Sequence, residues 1–157
     1  MISIISVGGE NTDAAEKAKS LFKEYAASLN FDLCFQDFDR ELEEFPGQYS
    51  PPDGSLFLAV ENNIAVGCIG IRRLEDRVCE MKRLYVKPGF RGTGAGRMLA
   101  EKSIEAARSL NYKLMRLDTL PSMTNANRLY VSLGFKRIEP YRYNPIKGAV
   151  YMELDLE

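Results

Sequence analysis

Apolar and polar positions follow two spacings along the chain, and these divide it into helical and extended segments. Weak alternation over residues 2–7 predicts an opening strand. Apolar side chains at helical spacing predict a helix from Ala14 to Leu29 and a second from Gln36 to Phe45. Pro46 and Gly47 end the second helix, because proline cannot continue a helix and glycine favours a turn.

After a turn-rich loop, the chain alternates strands with helices. Helices are predicted over 94–109 and 123–133, and strands over 55–61, 65–74, 78–86, 114–120, 135–139 and 149–156. This order predicts an α+β fold, in which a mixed, mostly antiparallel central sheet is flanked by helices. There is no internal repeat, linker or low-complexity tract, so we expect one domain over residues 1–157.

Composition and charge exclude several classes of partner. Hydrophobic residues make up 45% and charged residues 27% of the chain, and the formal net charge is −1. A nearly neutral chain has no global attraction for nucleic acid or for an anionic membrane surface, so we expect neither partner. No apolar run reaches the length of a membrane span, and no export signal is visible at the N-terminus. We therefore expect a cytoplasmic protein.

The residue types that are missing also limit the chemistry. The chain has no histidine, which excludes a Ser-His or Cys-His catalytic pair and an imidazole-bound metal. Its three cysteines, Cys34, Cys68 and Cys79, are not spaced as metal ligands, and we interpret them as reduced, small hydrophobic residues. We expect no metal site. Proton transfer must then come from a carboxylate, tyrosine, lysine or cysteine.

A glycine-rich segment, Arg-Gly-Thr-Gly-Ala-Gly at 91–96, lies between a predicted strand and a predicted helix. Glycines let backbone N–H groups converge, and the start of the helix adds its positive dipole end, so this junction predicts a phosphate site. Lys87, Arg91 and Arg97 add positive charge around it.

Two common phosphate-binding patterns match this segment poorly. In a Walker A loop that starts at Gly89, Ala95 and Gly96 would replace the required Lys and Ser/Thr. A dinucleotide fingerprint would need its last glycine one residue after Gly96, although Asp118 ends the next strand at about the expected distance of roughly 20 residues. The charged strand 78–86 also differs from the apolar strands of a parallel sheet. A dinucleotide-binding oxidoreductase is therefore the weaker alternative.

A third pattern, Arg/Gln-x-x-Gly-x-Gly/Ala, is matched by residues 91–96 at every fixed position. A second segment contains Asn127, Tyr130, Gly134 and Phe135, a slightly compressed form of Asn-x-x-x-x-Tyr-x-x-x-Gly-Phe. On these two motifs the chain resembles the GNAT superfamily of acyl-CoA-dependent N-acyltransferases. The resemblance is good over residues 55–140, which contain both motifs. The N-terminal third resembles the family only in its two predicted helices and contains no motif.

The resemblance implies the acyl-CoA N-acyltransferase fold, acetyl-CoA as co-substrate and direct transfer to a primary amine of a small molecule or peptide. It implies that backbone N–H groups of Leu84 and Val86 approach the acetyl oxygen and the pantetheine arm, where their strand bulges away from its neighbour. Asn127 would also contact the arm. The pyrophosphate would be held by the loop and its arginines: Arg91, Gly92, Thr93, Gly94, Ala95, Gly96 and Arg97.

Two residues are candidates for proton transfer. Glu80 is the predicted general base, because it lies on the strand before the loop, where members of the family often place an acid. The alternative is a salt bridge with Lys82 or Arg72. Tyr130 is the predicted general acid, since a phenol can protonate a thiolate of similar basicity. Its alternative is a core tyrosine.

The acceptor side is less defined. Residues 32–44 hold six acids, which could attract a cationic amine or could form a solvated helix face. Asp118 and the segment 141–145 are possible acceptor contacts. A catalytically silent CoA-binding module is an alternative to the enzyme, and a homodimer is a further expectation from the resemblance.

Overall fold

The computed structural model describes residues 1–8, 12–29 and 37–157. Its helices are α1 (Thr12–Ser28), α2 (Phe38–Glu43), α3 (Ala95–Ser109) and α4 (Thr124–Ser132). Its strands are β1 (Ser3–Ser6), β2 (Ser55–Glu61), β3 (Ile64–Glu75), β4 (Val78–Val86), β5 (Leu114–Thr119), β6 (Lys136–Ile138) and β7 (Val150–Asp155). Most predicted boundaries agree within two residues; the start of the second helix predicted at Gln36 lies outside the described residues.

Within the described residues, seven strands form one sheet in the order β1-β2-β3-β4-β5-β7-β6. Neighbouring strands are antiparallel except β4 and β5, which are parallel. A parallel pair needs a crossover, and α3 supplies it between these two strands. The predicted mixed, mostly antiparallel α+β sheet is confirmed.

Helices pack on both faces of this sheet, because alternate strand residues point in opposite directions. On the α3 face, Leu99 packs in a core cluster with Cys79 and Met115, and on the α1 face, Phe22 packs with Cys68. Cys68 and Cys79 are buried free thiols, as predicted, whereas Cys34 lies outside the described residues. None of the helices in ranges 12–29 and 37–157 is long and apolar enough to cross a membrane.

Strand β4 carries a bulge that positions the candidate site. Cys68 is opposite Tyr85 and Gly70 is opposite Lys82, so Ile69 of β3 faces two residues of β4. One of the two, Arg83, has φ of 62°. An extra residue reverses the alternation beyond it, and Arg83 therefore shares a face of the sheet with Lys82.

Strand β4 separates from β5 after Glu80, shortly before the bulge. The register of the parallel pair covers only Val78 to Glu80 of β4, so the strands are unpaired further along. The bulge and the separation that the resemblance implied are both present. Together they open a cleft in the sheet, on the strand that precedes the glycine-rich loop.

Candidate active site

The glycine-rich loop has a backbone conformation that favours glycine. Gly92 has φ of 82° and Gly94 has φ of 90°, a left-handed region that residues with a Cβ rarely adopt. Helix α3 begins at Ala95, and in the described part of the chain no side chain caps it and no acid lies in its first turn. The first N–H groups of α3 therefore suit an anion such as a phosphate.

Two arginines border this loop and contact neighbouring elements. Arg91 donates from Nε to the Val86 carbonyl at 3.0 Å, and its guanidinium lies 5.9 Å from the centre of the Tyr85 ring. Arg97 donates from Nη2 to the Ser132 hydroxyl of α4. These contacts place a positive charge on either side of the loop.

A cleft of about 70 Å³ lies where β4 and β5 separate. It brings together Leu84 from the bulge and Tyr130 from α4, two predicted site residues that are far apart in sequence. Asn144, from the segment before β7, also lines it. The charged side chains among its lining residues are Lys82, Arg83 and Asp118.

Tyr130 is both a core residue and a lining residue of this cleft. It is 8% exposed, and its ring packs edge-on against Phe135 with the ring centres 5.8 Å apart. Burial raises the pKa of its hydroxyl well above the usual value near 10. The hydroxyl therefore keeps its proton at neutral pH, which suits a donor; its role in catalysis stays a prediction.

Glu80 is fully buried and has strong partners. Its carboxylate lies 2.9 Å from Nη2 of Arg72 and 2.7 Å from Nη2 of Arg142, and it accepts a 2.6 Å hydrogen bond from the Tyr141 hydroxyl. Burial raises the pKa of this carboxyl, but the charges of Lys82, Arg72 and Arg142 outweigh it, and the pKa is lowered.

These contacts correspond to the salt-bridge alternative, with Arg72 as one partner. A carboxylate held anionic by cations is a weaker proton acceptor than a free one, so the contacts favour a structural or positioning role for Glu80. The general-base role remains a prediction that no contact here tests. Arg142 and Tyr141 are partners that the sequence analysis did not identify for Glu80.

Lys82 and Asp118 face each other across the cleft. Lys82 Nζ lies 3.9 Å from Oδ1 of Asp118, and the two side chains are only 3% and 6% exposed. Burial lowers the pKa of Lys82 to about 8, although the charge of Glu80 partly opposes this. Asn144 donates from Nδ2 to Oδ2 of Asp118 at 3.1 Å, which fixes the orientation of the carboxylate.

The acidic segment, in its described residues 37–44, contains one acid with a nearly buried side chain. Glu41 binds Arg83 through two hydrogen bonds of 3.0 and 3.1 Å, and its side chain is only 8% exposed. The interpretation of this segment as a solvated face is therefore wrong for Glu41, because the bulge turns Arg83 toward α2. Asp32 lies outside the described residues. The other described acids of the segment are exposed: Asp37, Asp39, Glu43 and Glu44.

Asn127 connects α4 to the end of β5. Its Oδ1 accepts a 2.7 Å hydrogen bond from the Thr119 hydroxyl, and its Nδ2 donates at 2.8 Å to the Leu120 carbonyl. These bonds hold α4 against the strand that forms one wall of the cleft. The predicted contact of Asn127 with the cofactor arm stays a prediction.

No group of three or more Asp, Glu or Cys side chains in the described ranges is arranged to hold a metal ion. The glycines with positive φ, the uncapped start of α3 and the flanking arginines instead suit a diphosphate. These features fit the diphosphate of a coenzyme.

Comparison with known proteins agrees with this geometry. The sequence model of the Acetyltransferase (GNAT) family matches residues 18–135. An uncharacterised N-acetyltransferase of Schizosaccharomyces pombe is 42% identical over 140 residues, which cover 88% of this chain and 86% of that protein. An N-acetylaspartate synthetase of Danio rerio is 34% identical over 100 residues, 62% of this chain and 36% of that longer protein.

The fold is also similar to that of solved acetyltransferases. The crystal structure of the PaiA N-acetyltransferase of Thermoplasma acidophilum, solved in complex with coenzyme A, matches with a TM-score of 0.71 at 20% identity. The match covers 99% of each chain. At this identity the similarity demonstrates a shared fold.

Proposed function

The chain belongs to the GNAT family of acetyltransferases, and from this premise we propose that it transfers an acetyl group from acetyl-CoA directly to a primary amine. The observation that carries the proposal is the position of the cleft. It opens at the bulge of β4, and β4 leads through the short 3-10 helix Pro88–Phe90 into the glycine-rich loop with Gly92 and Gly94. A coenzyme would therefore lie along the end of β4, with its diphosphate at the loop and its thioester at the cleft.

In this reaction the amine nitrogen forms a bond to the acetyl carbon, and the bond from that carbon to sulfur breaks. The ammonium loses one proton before attack, and the nitrogen loses a second as the amide forms. The departing thiolate takes up one proton, so one proton is released overall. The protein must accept a proton near the amine and donate one near the sulfur.

The residues of the cleft can meet these needs. Tyr130 would donate the proton to the thiolate, since burial keeps its hydroxyl protonated. Backbone N–H groups of Leu84 and Val86 would polarise the acetyl carbonyl, an effect worth about 3 kcal/mol for a well-placed donor. Glu80 would act as a base only through a water molecule, since its carboxylate is fully buried.

Cofactor binding would involve backbone from Arg91 to Gly96 and the side chain of Arg97. Asn127 would border the arm of the coenzyme from α4. Support comes from the uncapped start of α3 and from the solved PaiA complex, whose ligand is coenzyme A. The acetyltransferase domain would comprise the whole chain. Assembly of two copies of the chain into a homodimer stays an expectation.

The acceptor is a primary amine, and amino acids belong in the first set to be tested. The relative from Danio rerio is named for the synthesis of N-acetylaspartate, an acetylated amine that carries carboxylates. Peptide amines belong in the same set.

Two measurements test the proposal on the purified full chain. Calorimetry should show saturable binding of coenzyme A and acetyl-CoA, and mass spectrometry of an amine panel should detect acetylated products with matching release of free coenzyme A. Binding without product from any amine would indicate a silent coenzyme-binding module. Stabilisation by NAD or NADP but not by coenzyme A would indicate the oxidoreductase alternative.

A further inference from the structure

We propose that Lys82 is the base of the transfer reaction: its side-chain amine takes the proton from the acceptor ammonium. This inference rests on the acetyltransferase function proposed above and concerns the acceptor side of the same cleft. It assigns to Lys82, a residue outside both sequence motifs, the role that the sequence analysis predicted for Glu80.

Lys82 lies in the cleft, whereas Glu80 does not line it. The side chain of Lys82 shares the cleft lining with Leu84 of the bulge and with Tyr130, the proposed acid. Leu84 is only two positions further along β4, and the resemblance implies that its N–H approaches the acetyl oxygen. A base in this cleft is therefore close to both the acetyl group and the acid.

The other ionisable side chains of the cleft are less suited to accept a proton. In the described lining these are two tyrosines, an arginine and a carboxylate: Tyr25, Tyr130, Arg83 and Asp118. Burial raises the pKa of both tyrosine hydroxyls, so both keep their protons near neutral pH. A guanidinium does not lose its proton in proteins. A carboxylate is a weak base toward a primary ammonium, and a neutral lysine amine is a far stronger one.

The surroundings of Lys82 make its neutral form accessible. Burial is the main cause and lowers the pKa of Lys82 to about 8, and the positive charges of Arg83 and Arg72 act in the same direction. The negative charges of Glu80 and Asp118 oppose this shift. Near pH 8 the neutral and charged forms are therefore similarly populated, which suits a group that must accept and then release a proton.

Charged and titratable groups surround Lys82 directly or through its neighbours. They are Arg72 of β3, Glu80 and Arg83 of β4, Asp118 of β5, Tyr25 of α1, Glu41 of α2, Tyr130 of α4, and Tyr141 and Arg142 of the segment after β6. Most of these groups bind one another: Glu41 pairs with Arg83, and Glu80 pairs with both other arginines and accepts from a tyrosine hydroxyl. The local charge around Lys82 is thus set by fixed contacts.

Asp118 stabilises the ammonium that Lys82 becomes after proton transfer. Its Oδ1 lies 3.9 Å from Lys82 Nζ, and its Oδ2 accepts a 3.1 Å hydrogen bond from Asn144. A negative charge held this close favours the protonated lysine, and it also attracts a cationic acceptor to the cleft.

Hydrogen bonds donated by Lys82 are compatible with this role. A lysine ammonium has three N–H donors. The neutral amine keeps two of them and gains one lone pair. Polar neighbours can therefore hold the amine in both protonation states, while the lone pair accepts the proton.

The proton balance of the reaction closes with this assignment. The acceptor ammonium gives one proton to the neutral amine of Lys82, and the free acceptor amine attacks the acetyl carbon. The carbon–sulfur bond then breaks, and Tyr130 protonates the leaving thiolate. The second proton of the acceptor nitrogen restores the Tyr130 hydroxyl, and Lys82 releases its proton to solvent. One proton is released overall, as the reaction requires.

The pH dependence of a single turnover tests the assignment. The protein is in excess over acetyl-CoA, so that product release does not limit the rate. The saturating acceptor is the amino acid or peptide amine with the highest turnover in the panel above. We expect the rate to rise with pH to a plateau, with a midpoint near 8. A rate that does not change with pH would overturn the inference.

Lys82→Gln removes the proposed base. The single-turnover rate should fall at least about a hundredfold, and the midpoint near 8 should disappear. Coenzyme A binding and circular dichroism should stay unchanged, since Lys82 is not assigned to the coenzyme. A midpoint that persists in the variant would belong to the acceptor amine and would contradict the role of Lys82.

Lys82→Arg separates proton transfer from charge. Arginine keeps the positive charge but cannot accept a proton, so its rate should also fall at least about a hundredfold. Lys102→Arg, at a partly exposed lysine of α3, is the matched control and should keep the normal rate. A normal rate in Lys82→Arg would show that only the charge matters. If a variant does not fold, the pH profile of the unmodified protein still decides.

The two proposals fail in different ways. A chain that acetylates an amine at a normal rate with arginine at position 82 keeps the proposed function and loses this inference. A chain that binds no coenzyme A and acetylates no amine loses both.

Discussion

The guanidinium of Arg142 lies 2.7 Å from the carboxylate of Glu80, although 62 residues separate them in sequence. Arg142 comes from the irregular segment between β6 and β7, and Glu80 lies near the start of β4. The pair therefore joins the C-terminal third of the chain to the strand that forms the cleft. Since Arg72 binds the same carboxylate from β3, Glu80 connects three parts of the structure.

Replacing Glu80 with Gln should destabilise the protein strongly. The substitution keeps the size of the side chain but leaves Arg72 and Arg142, which are only 13% and 22% exposed, without their carboxylate. Removing one partner of a buried ion pair typically costs about 3 kcal/mol or more. Urea unfolding of both proteins at pH 7 measures the difference in free energy of unfolding.

Glu105→Gln is the control for this comparison. Glu105 is 71% exposed and pairs with Lys102 on the surface of α3, so its loss should change the free energy by no more than about 0.5 kcal/mol. If Glu80→Gln is as stable as the unmodified protein but turns over far more slowly, Glu80 acts in catalysis rather than in structure.

The contribution of Glu80 to the free energy of unfolding should decrease as the pH falls. Its pKa is lowered in the folded protein, so the unfolded chain binds the proton more readily. The stabilisation is complete above the unfolded pKa of about 4.3 and is lost as pH falls through the lower, folded pKa. Urea unfolding between pH 3 and 6 should show the difference between Glu80→Gln and the unmodified protein shrinking toward low pH. A constant difference would contradict this assignment.

Lys82 should titrate near pH 8 in the folded protein. Burial lowers its pKa to about 8, below the value near 10.4 of a free lysine. Between these values the folded state binds fewer protons than the unfolded chain, so the contribution of Lys82 to stability rises with pH. Carbon-13 NMR of labelled lysines, with the Lys82 signal identified by its absence in Lys82→Gln, measures the midpoint. A midpoint near 10 would show that the side chain is hydrated.

Replacing Tyr130 with Phe should slow turnover and leave acetyl-CoA affinity nearly unchanged. The ring keeps its packing against Phe135, and only the hydroxyl of the proposed acid is lost. General acid catalysis is worth about a hundredfold or more in rate. Steady-state kinetics and calorimetry separate the two quantities. Tyr112→Phe removes a hydroxyl that binds the Asp53 carbonyl and does not line the cleft, so its turnover should stay normal.

Local patterns were sufficient to predict the elements around the cleft. The bounds predicted for the strand 78–86 are those observed for β4, and the helix predicted over 94–109 is observed as α3 from Ala95 to Ser109. Both predictions rest on short-range rules, because apolar alternation and the glycines before the helix act within a few residues. The glycine-rich loop was identified for the same reason.

The contacts of the charged residues were not predictable from these rules. Arg83 adopts a left-handed backbone that its residue type does not favour, and so nothing in the local sequence marks the bulge; only the family resemblance implied it. The turn of Arg83 toward Glu41 follows from that bulge. Arg142 lies in a segment without periodicity, and its pairing with Glu80 depends on how β7 returns to the sheet.

Replacing Gly94 with Ala should weaken coenzyme binding, and Gly89→Ala should not. An added Cβ meets no atom within 4 Å at either position, so crowding by the protein is the same in both. Gly94 has φ of 90°, whereas φ of Gly89 lies outside the left-handed region. Alanine at 94 must therefore either accept strain of about 1 kcal/mol or shift the start of α3. Either response disturbs the N–H groups proposed to bind the diphosphate.

Calorimetry should show coenzyme A binding at least about tenfold weaker for Gly94→Ala, a change of about 1.4 kcal/mol, and little changed for Gly89→Ala. Equal affinities in the two variants would place the diphosphate away from this loop.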